Sequence, residues 1–156
     1  MEISPEVHRK LAADLFNGVW ELLEKQDRTA SEDLTMLHQA HASRFHWGIV
    51  GKPRNLSVGE WQISRVYSAL GRAEPALFHG RRCLEIAEAH SLGDFYTGYA
   101  HEALARAHMI ERKEAAANAH LFAALGRLHL VNDAEDRGHL AKDLDEIAAS
   151  LGAAIA

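Results

Sequence analysis

Residues 57–84 (SVGEWQISRVYSALGRAEPALFHGRRCL) and 98–125 (GYAHEALARAHMIERKEAAANAHLFAAL) superimpose at an offset of 41 residues. The offset pairs Ile63 with Leu104, Ser64 with Ala105, Ala76 with Ala117, Cys83 with Ala124 and Leu84 with Leu125. Large meets large and small meets small. A fixed period of roughly 20 to 50 residues marks stacked helical hairpins. Its physical basis is close packing: where two helices cross tightly, one side carries Gly, Ala, Ser or Cys so that the other helix's ridge enters the groove.

Working outward from this repeat, helical periodicity covers the chain. The first helix is expected from Ser4, whose hydroxyl can cap an orphan N–H, with Pro5 at the first helical position and an apolar stripe of Leu11, Leu15, Val19 and Leu22, widened by Phe16, Trp20 and Leu23. Thr29 and Glu32 have the spacing of a capping box and open a second helix carrying Leu34, Leu37, Ala40, His41, Phe45 and Ile49 as far as the 51–55 loop. Ser57 and Glu60 have the same spacing and are expected to open the third helix, which Gly71 ends. A fourth helix follows from Glu74-Pro75 to about His90, where Gly93 and Asp94 supply a stop and a fresh cap. A fifth runs to about Arg112, a sixth over about 114–130, and Asn132-Asp133 cap a seventh with Leu140, Leu144, Ile147 and Leu151. Loops this short make neighbouring helices antiparallel.

The pattern of a large then a small residue in mid-helix (Ile63-Ser64, Leu104-Ala105), with small residues early and late in the next helix (Ala76 and Cys83, Ala117 and Ala124), resembles the tetratricopeptide repeat (TPR). Tyr67 matches that family's late aromatic, with His108 in its place one repeat on. Gly71 matches its turn glycine, with Arg112 in its place. The early aromatic is displaced to Trp61, the closing proline is absent, and the period is longer than the family's. The resemblance implies an all-α fold, one domain over residues 1–156, with hairpins at about 4–50, 57–91 and 94–130 stacked as a short right-handed superhelix under a capping helix at about 133–152. It also implies that the first helix of each hairpin lines a groove for an extended peptide or a helix. Carried over by position, that groove falls on Val58, Trp61, Gln62, Arg65 and Ala69, then on Tyr99, Glu102, Arg106 and Met109. Arg65 and Arg106 are equivalent. They would hold a ligand carboxylate, or pair within the chain with Glu60, Glu102 or Glu111.

Composition narrows the function. The 156 residues carry 47% hydrophobic and 25% charged side chains, as a folding chain requires. A net charge of −5 without a basic run argues against nucleic acid. No stretch approaches the roughly 18 apolar residues of a membrane span, and the N-terminus lacks an apolar export segment. The single cysteine, Cys83, cannot form an internal disulfide and fits a reducing compartment, so the cytoplasm is the expected location. Cys83 also fills a small packing slot, which argues against a nucleophile.

Eleven histidines raise the question of a metal. His38 and His41 lie three apart on one helical face, with His46 a turn further on. A set of His38, His41, His46 and Glu60 is the metal alternative, although no E-x-x-H run accompanies it. The segment containing His41, Arg44, His46 and Trp47 is dense enough in polar and aromatic groups to form a pocket wall. No complete catalytic constellation is present, and no cofactor is expected. The reading is therefore a non-catalytic module for a protein or peptide segment. The alternatives are a metal- or small-molecule-binding protein using the histidine-rich stretch, or a homodimer that closes the groove on a second copy.

Overall fold

The computed structural model describes residues 2–155, with side chains as far as Gly152; the ends of the expected 1–156 domain, Met1 and Ala156, lie outside the described residues. Seven helices and no strand are found among these residues: α1 (Pro5–Leu23), α2 (Ala30–Val50), α3 (Pro53–Ala69), α4 (Ala73–Ala89), α5 (Asp94–Ile110), α6 (Glu114–Leu128) and α7 (Ala134–Ile155).

Three expected caps form, the one at α7 through Asp133 Oδ1, which accepts from the Asp136 N–H at 2.9 Å. Ser4 Oγ accepts from the Val7 N–H at 3.3 Å. At α2, the Thr29 N–H donates to Glu32 Oε2 at 2.8 Å while the Glu32 N–H donates to Thr29 Oγ1 at 3.2 Å. The α3 start is a correction. Pro53 opens the helix four residues before Ser57, and Asn55 Oδ1 accepts from the Lys52 N–H at 2.9 Å. Ser57 is buried inside the helix and donates to the Cys83 carbonyl at 3.2 Å, while Glu60 is engaged by Arg44 and His79. Asp94 is likewise not a side-chain cap: it is the first residue of α5 and takes an ion pair from Arg127 at 3.1 Å.

The turns after α3 and α5 are built alike. Arg72 N–H donates to the Tyr67 carbonyl and Gly71 N–H to that of Ser68; Lys113 N–H donates to the His108 carbonyl and Arg112 N–H to that of Met109. This pair of bonds needs a left-handed residue in the turn. Gly71 supplies it at φ 71° without cost, and Arg112 adopts it at φ 60°.

Packing joins α1 to α2, α3 to α4 and α5 to α6, and each hairpin to the next through α2–α3 and α4–α5. Helix α3 also touches α1 and α5, and α7 lies on α5 and α6. The small slots of the repeat are buried: Ser64, Ala76, Cys83, Ala105, Ala117 and Ala124 are all at most 1% exposed. Gly80 continues the series, because a Cβ there would stand 3.0 Å from Leu104 Cδ2. Leu140, Leu144, Ile147 and Leu151 of α7 join Ala105, Ala117, Leu121 and Ala124 in one core, so α7 covers the last hairpin. In α2 the expected face is met at Ala40 and Leu37 and missed at Leu34, Phe45 and Ile49. Met36, Ala40 and Ser43 point inward, whereas Leu34, Phe45 and Ile49 are 52–65% exposed.

Candidate aromatic cleft

Helices α1, α3, α5 and α7 surround an open cavity of about 520 Å³. Its walls are Phe16 and Trp20 from α1 with Glu24 just after it, Ser57, Val58 and Trp61 from α3, Phe95, Tyr96 and Tyr99 from α5, and His139, Lys142 and Asp143 from α7; Cys83 reaches it from α4. Helical spacing explains the concentration of rings: Phe16 and Trp20 lie four apart, as do Phe95 and Tyr99, so each pair shares a face. The rings contact one another. Trp20 and Trp61 have centroids 5.5 Å apart, Trp61 meets Tyr99 edge-on at 5.3 Å, and Tyr99 meets Phe95 edge-on at 5.1 Å. An adjoining opening of about 230 Å³ shares Phe16, Val58 and Tyr96 and adds Trp47, Arg54 and Asn55.

The polar tips of Trp61 and Tyr99 are occupied. Trp61 Nε1 donates to Glu102 Oε2 at 2.7 Å, and the Tyr99 hydroxyl donates to Asp143 Oδ2 at 2.7 Å. Burial and the Asp143 carboxylate push the Tyr99 phenol well above its ordinary range. Burial pushes the Cys83 thiol up to about 12, which keeps it protonated at neutral pH.

A second opening, of about 240 Å³, is lined by Leu23, Arg65, Ser68, Ala69, Arg106, Met109, Ile110, Ile147 and Ser150. Arg106 is tied to Glu102 of its own helix and to α7, with Glu146 at 2.8 Å and Asp143 at 3.7 Å. Burial works against its charge, but Glu102 and Glu146 outweigh that and hold the guanidinium above its usual range. Arg65 is less engaged. Its nearest carboxylate is Glu146 at 3.9 Å, and burial together with neighbouring Arg106 lowers it. Ser68 Oγ is buried without a partner among the described residues.

The structure therefore divides the sequence-derived groove. Trp61, Tyr99 and Val58 line the aromatic cleft, and Arg65, Arg106, Met109 and Ala69 line the second opening. Gln62 and Glu102 are corrections: each is 1% exposed, Gln62 donating to the Phe16 carbonyl at 2.9 Å and Glu102 bracing Trp61 and Arg106, so neither faces a ligand. The expected wall of His41, Arg44, His46 and Trp47 is dispersed. Trp47 reaches the adjoining opening, His41 Nε2 is 3.1 Å from the Tyr67 hydroxyl, Arg44 donates to Glu60 at 3.0 Å, and His46 Nδ1 is 2.8 Å from His8 Nδ1. The metal set is dispersed with it. His38 is exposed, Glu60 is spent on Arg44 and His79, and no group of three His, Cys, Asp or Glu residues placed to hold a metal occurs among the described residues.

Sequence reasoning missed the α1 aromatics as cleft walls, the α7 acids as partners of Arg106, and two side-chain clusters. His79 Nδ1 is 2.6 Å from Glu60 and its ring stacks on Tyr67 at 5.9 Å and 13°. His120 Nδ1 is 3.0 Å from His101 and its ring stacks on His108 at 5.4 Å and 11°. The residues of the second cluster follow those of the first by 41 positions, so the repeat carried the signal. Among the described residues no helix is long and apolar enough to cross a membrane. No protein-family model, curated protein or solved structure matches the chain.

Proposed function

We propose that the chain is a non-catalytic binding module of tetratricopeptide type. In this reading α1–α2, α3–α4 and α5–α6 stack as a short right-handed superhelix closed by α7, and a protein or peptide segment lies in the cleft. One observation carries the reading: the first helices of all three hairpins and α7 meet around an opening of about 520 Å³ walled by aromatic rings. Ligand sites commonly span about 300–1,000 Å³ and combine an apolar lining with a few polar groups. Rigid aromatic rings are also the side chains that most often anchor interfaces. The net charge of −5 disfavours nucleic acid as the occupant, and a cytoplasmic setting fits the lone buried cysteine.

A displayed peptide library tests this, with the purified chain and its Val58→Arg variant as baits. Val58 lines both the cleft and the adjoining opening and is only half-buried, so the arginine fills the groove without invading the core. Selected peptides are expected to lose at least about tenfold in affinity, about 1.4 kcal/mol, at unchanged melting temperature. A library that selects nothing, or peptides indifferent to Val58→Arg, contradicts the reading. Light scattering of the free protein separates a third outcome, in which a second copy of the chain occupies the groove.

A further inference from the structure

The hydrogen-bonding groups of Trp61, Tyr99 and Ser57 at the cleft's inner wall are already spent. The Trp61 indole N–H goes to Glu102, the Tyr99 hydroxyl to Asp143, and the Ser57 hydroxyl at the floor to the Cys83 carbonyl. What remains toward the cavity is π surface from Trp20, Trp61 and Tyr99. Both ring donors give their hydrogen to a carboxylate, which leaves the negative faces of the indole and the phenol as what these two rings can offer. Such faces attract cations.

The charges around the groove agree. At the cleft's own wall two carboxylates, Glu24 and Asp143, stand with Lys142 and His139, and Arg54 lines the adjoining opening. Arg65 and Arg106 line the second opening, where Glu102, Glu146 and, at 3.7 Å, the cleft's Asp143 hold Arg106, and Glu146 is Arg65's nearest carboxylate. At the cleft itself, Glu24 lines the wall and forms no ion pair or hydrogen bond through its side chain among the described residues. Lys142 and His139 also reach this rim. Lys142 is a flexible surface side chain that can keep its ammonium in water.

We propose that the aromatic cleft recognises an organic cation whose charge is carried by an alkylated ammonium group, borne by a small molecule or by the side chain of a bound segment. The inference rests on the cleft being the binding site. An alkylated ammonium matches the lining better than a guanidinium or a bare ammonium. It brings charge and apolar surface but few donors, and the inner wall offers few acceptors to satisfy more.

The test is calorimetry with choline, with its neutral isostere 3,3-dimethylbutan-1-ol, and with one short peptide bearing either trimethyllysine or unmodified lysine. The expected result is that choline or the trimethyllysine peptide binds at least about fivefold more tightly than its neutral or unmethylated counterpart, within the range of desolvated cation–π contacts. Choline binding points to a small-molecule source, and binding by the peptide alone points to a side chain. Trp20→Leu keeps apolar bulk and removes the ring, so it should abolish the preference. Glu24→Gln, a same-shape change at an exposed position, should weaken the cation alone about two- to threefold. Equal binding of cation and isostere overturns the inference and leaves the groove reading standing. No binding by any of the four probes overturns the inference, and the library experiment then decides the groove reading separately.

Discussion

Hairpins α3–α4 and α5–α6 place side chains at matching positions 41 residues apart and use them for opposite electrostatics. Glu60 in the first becomes His101 in the second, Tyr67 becomes His108, and His79 is matched by His120. The stacking geometry is retained, at 13° in one hairpin and 11° in the other. The charge is not. Burial raises the Glu60 carboxyl, but His79 and Arg44 outweigh it and hold the group below its ordinary value. Burial, then His120 and Arg127, depress His101 to about 4, and burial with His108 depresses His120. One scaffold position thus stabilises an anion and its equivalent keeps an imidazole neutral. The repeat fixes where side chains meet, and the neighbours fix what they carry.

The sharpest break between the hairpins should come at the equivalent arginines. Arg106 neutralises Glu102, which is 1% exposed and otherwise holds only the Trp61 indole. Arg106→Ala leaves that carboxylate buried and unpaired, and should cost about 3–5 kcal/mol in urea unfolding. Arg65→Ala removes only a contact at 3.9 Å and should cost less than about 1 kcal/mol. Equal losses would mean that the two positions are not distinguished by α7.

Acid should separate the clusters next. The depressed His101 contributes stability that is present above its ordinary value of 6.5 and is lost as pH falls toward about 4, because the unfolded chain takes up the proton first. Glu60, held below 4.5, keeps its contribution above that value and loses it as pH falls further. Thermal melts between pH 7.5 and 4.5 should show stability falling by at most about 1.4 kcal/mol per pH unit from this site, and His101→Gln should flatten the fall. An unchanged slope in the variant would assign the acid sensitivity elsewhere.

The turns give the smallest and cleanest contrast. Gly71 and Arg112 occupy the same left-handed position, which costs a side chain about 1 kcal/mol. Arg112→Gly should therefore raise stability by up to about 1 kcal/mol, and Gly71→Ala should lower it by a similar amount.

Much of the fold was legible because its determinants are local. Ser4-Pro5 and Thr29 with Glu32 cap as their spacing implies, and the small residues at 64, 76, 83, 105, 117 and 124 are buried. Competition hid the α3 start. Pro53 and Asn55 supply an earlier one, and Ser57 donates instead to the Cys83 carbonyl of α4. The inward face of α2 was hidden because apolar residues fall on two of its faces, and the smaller set of Met36, Ala40 and Ser43 fits against its neighbours. For the site, Trp61 and Tyr99 could be placed from the repeat alone. Phe16 and Trp20 could not, since the first hairpin follows the repeat only loosely. The pairing of Asp143 and Glu146 with Arg106 joins residues about 40 apart in sequence through a helix that has no repeat partner.

The most direct test of the cleft is proton–nitrogen NMR of the three indole N–H groups, Trp20, Trp47 and Trp61, during titration with a library-selected peptide or with choline. The account predicts that Trp20 and Trp61 shift together in proportion to occupancy, with Trp61 reporting through its bond to Glu102. A saturating ligand that leaves both signals in place would contradict it.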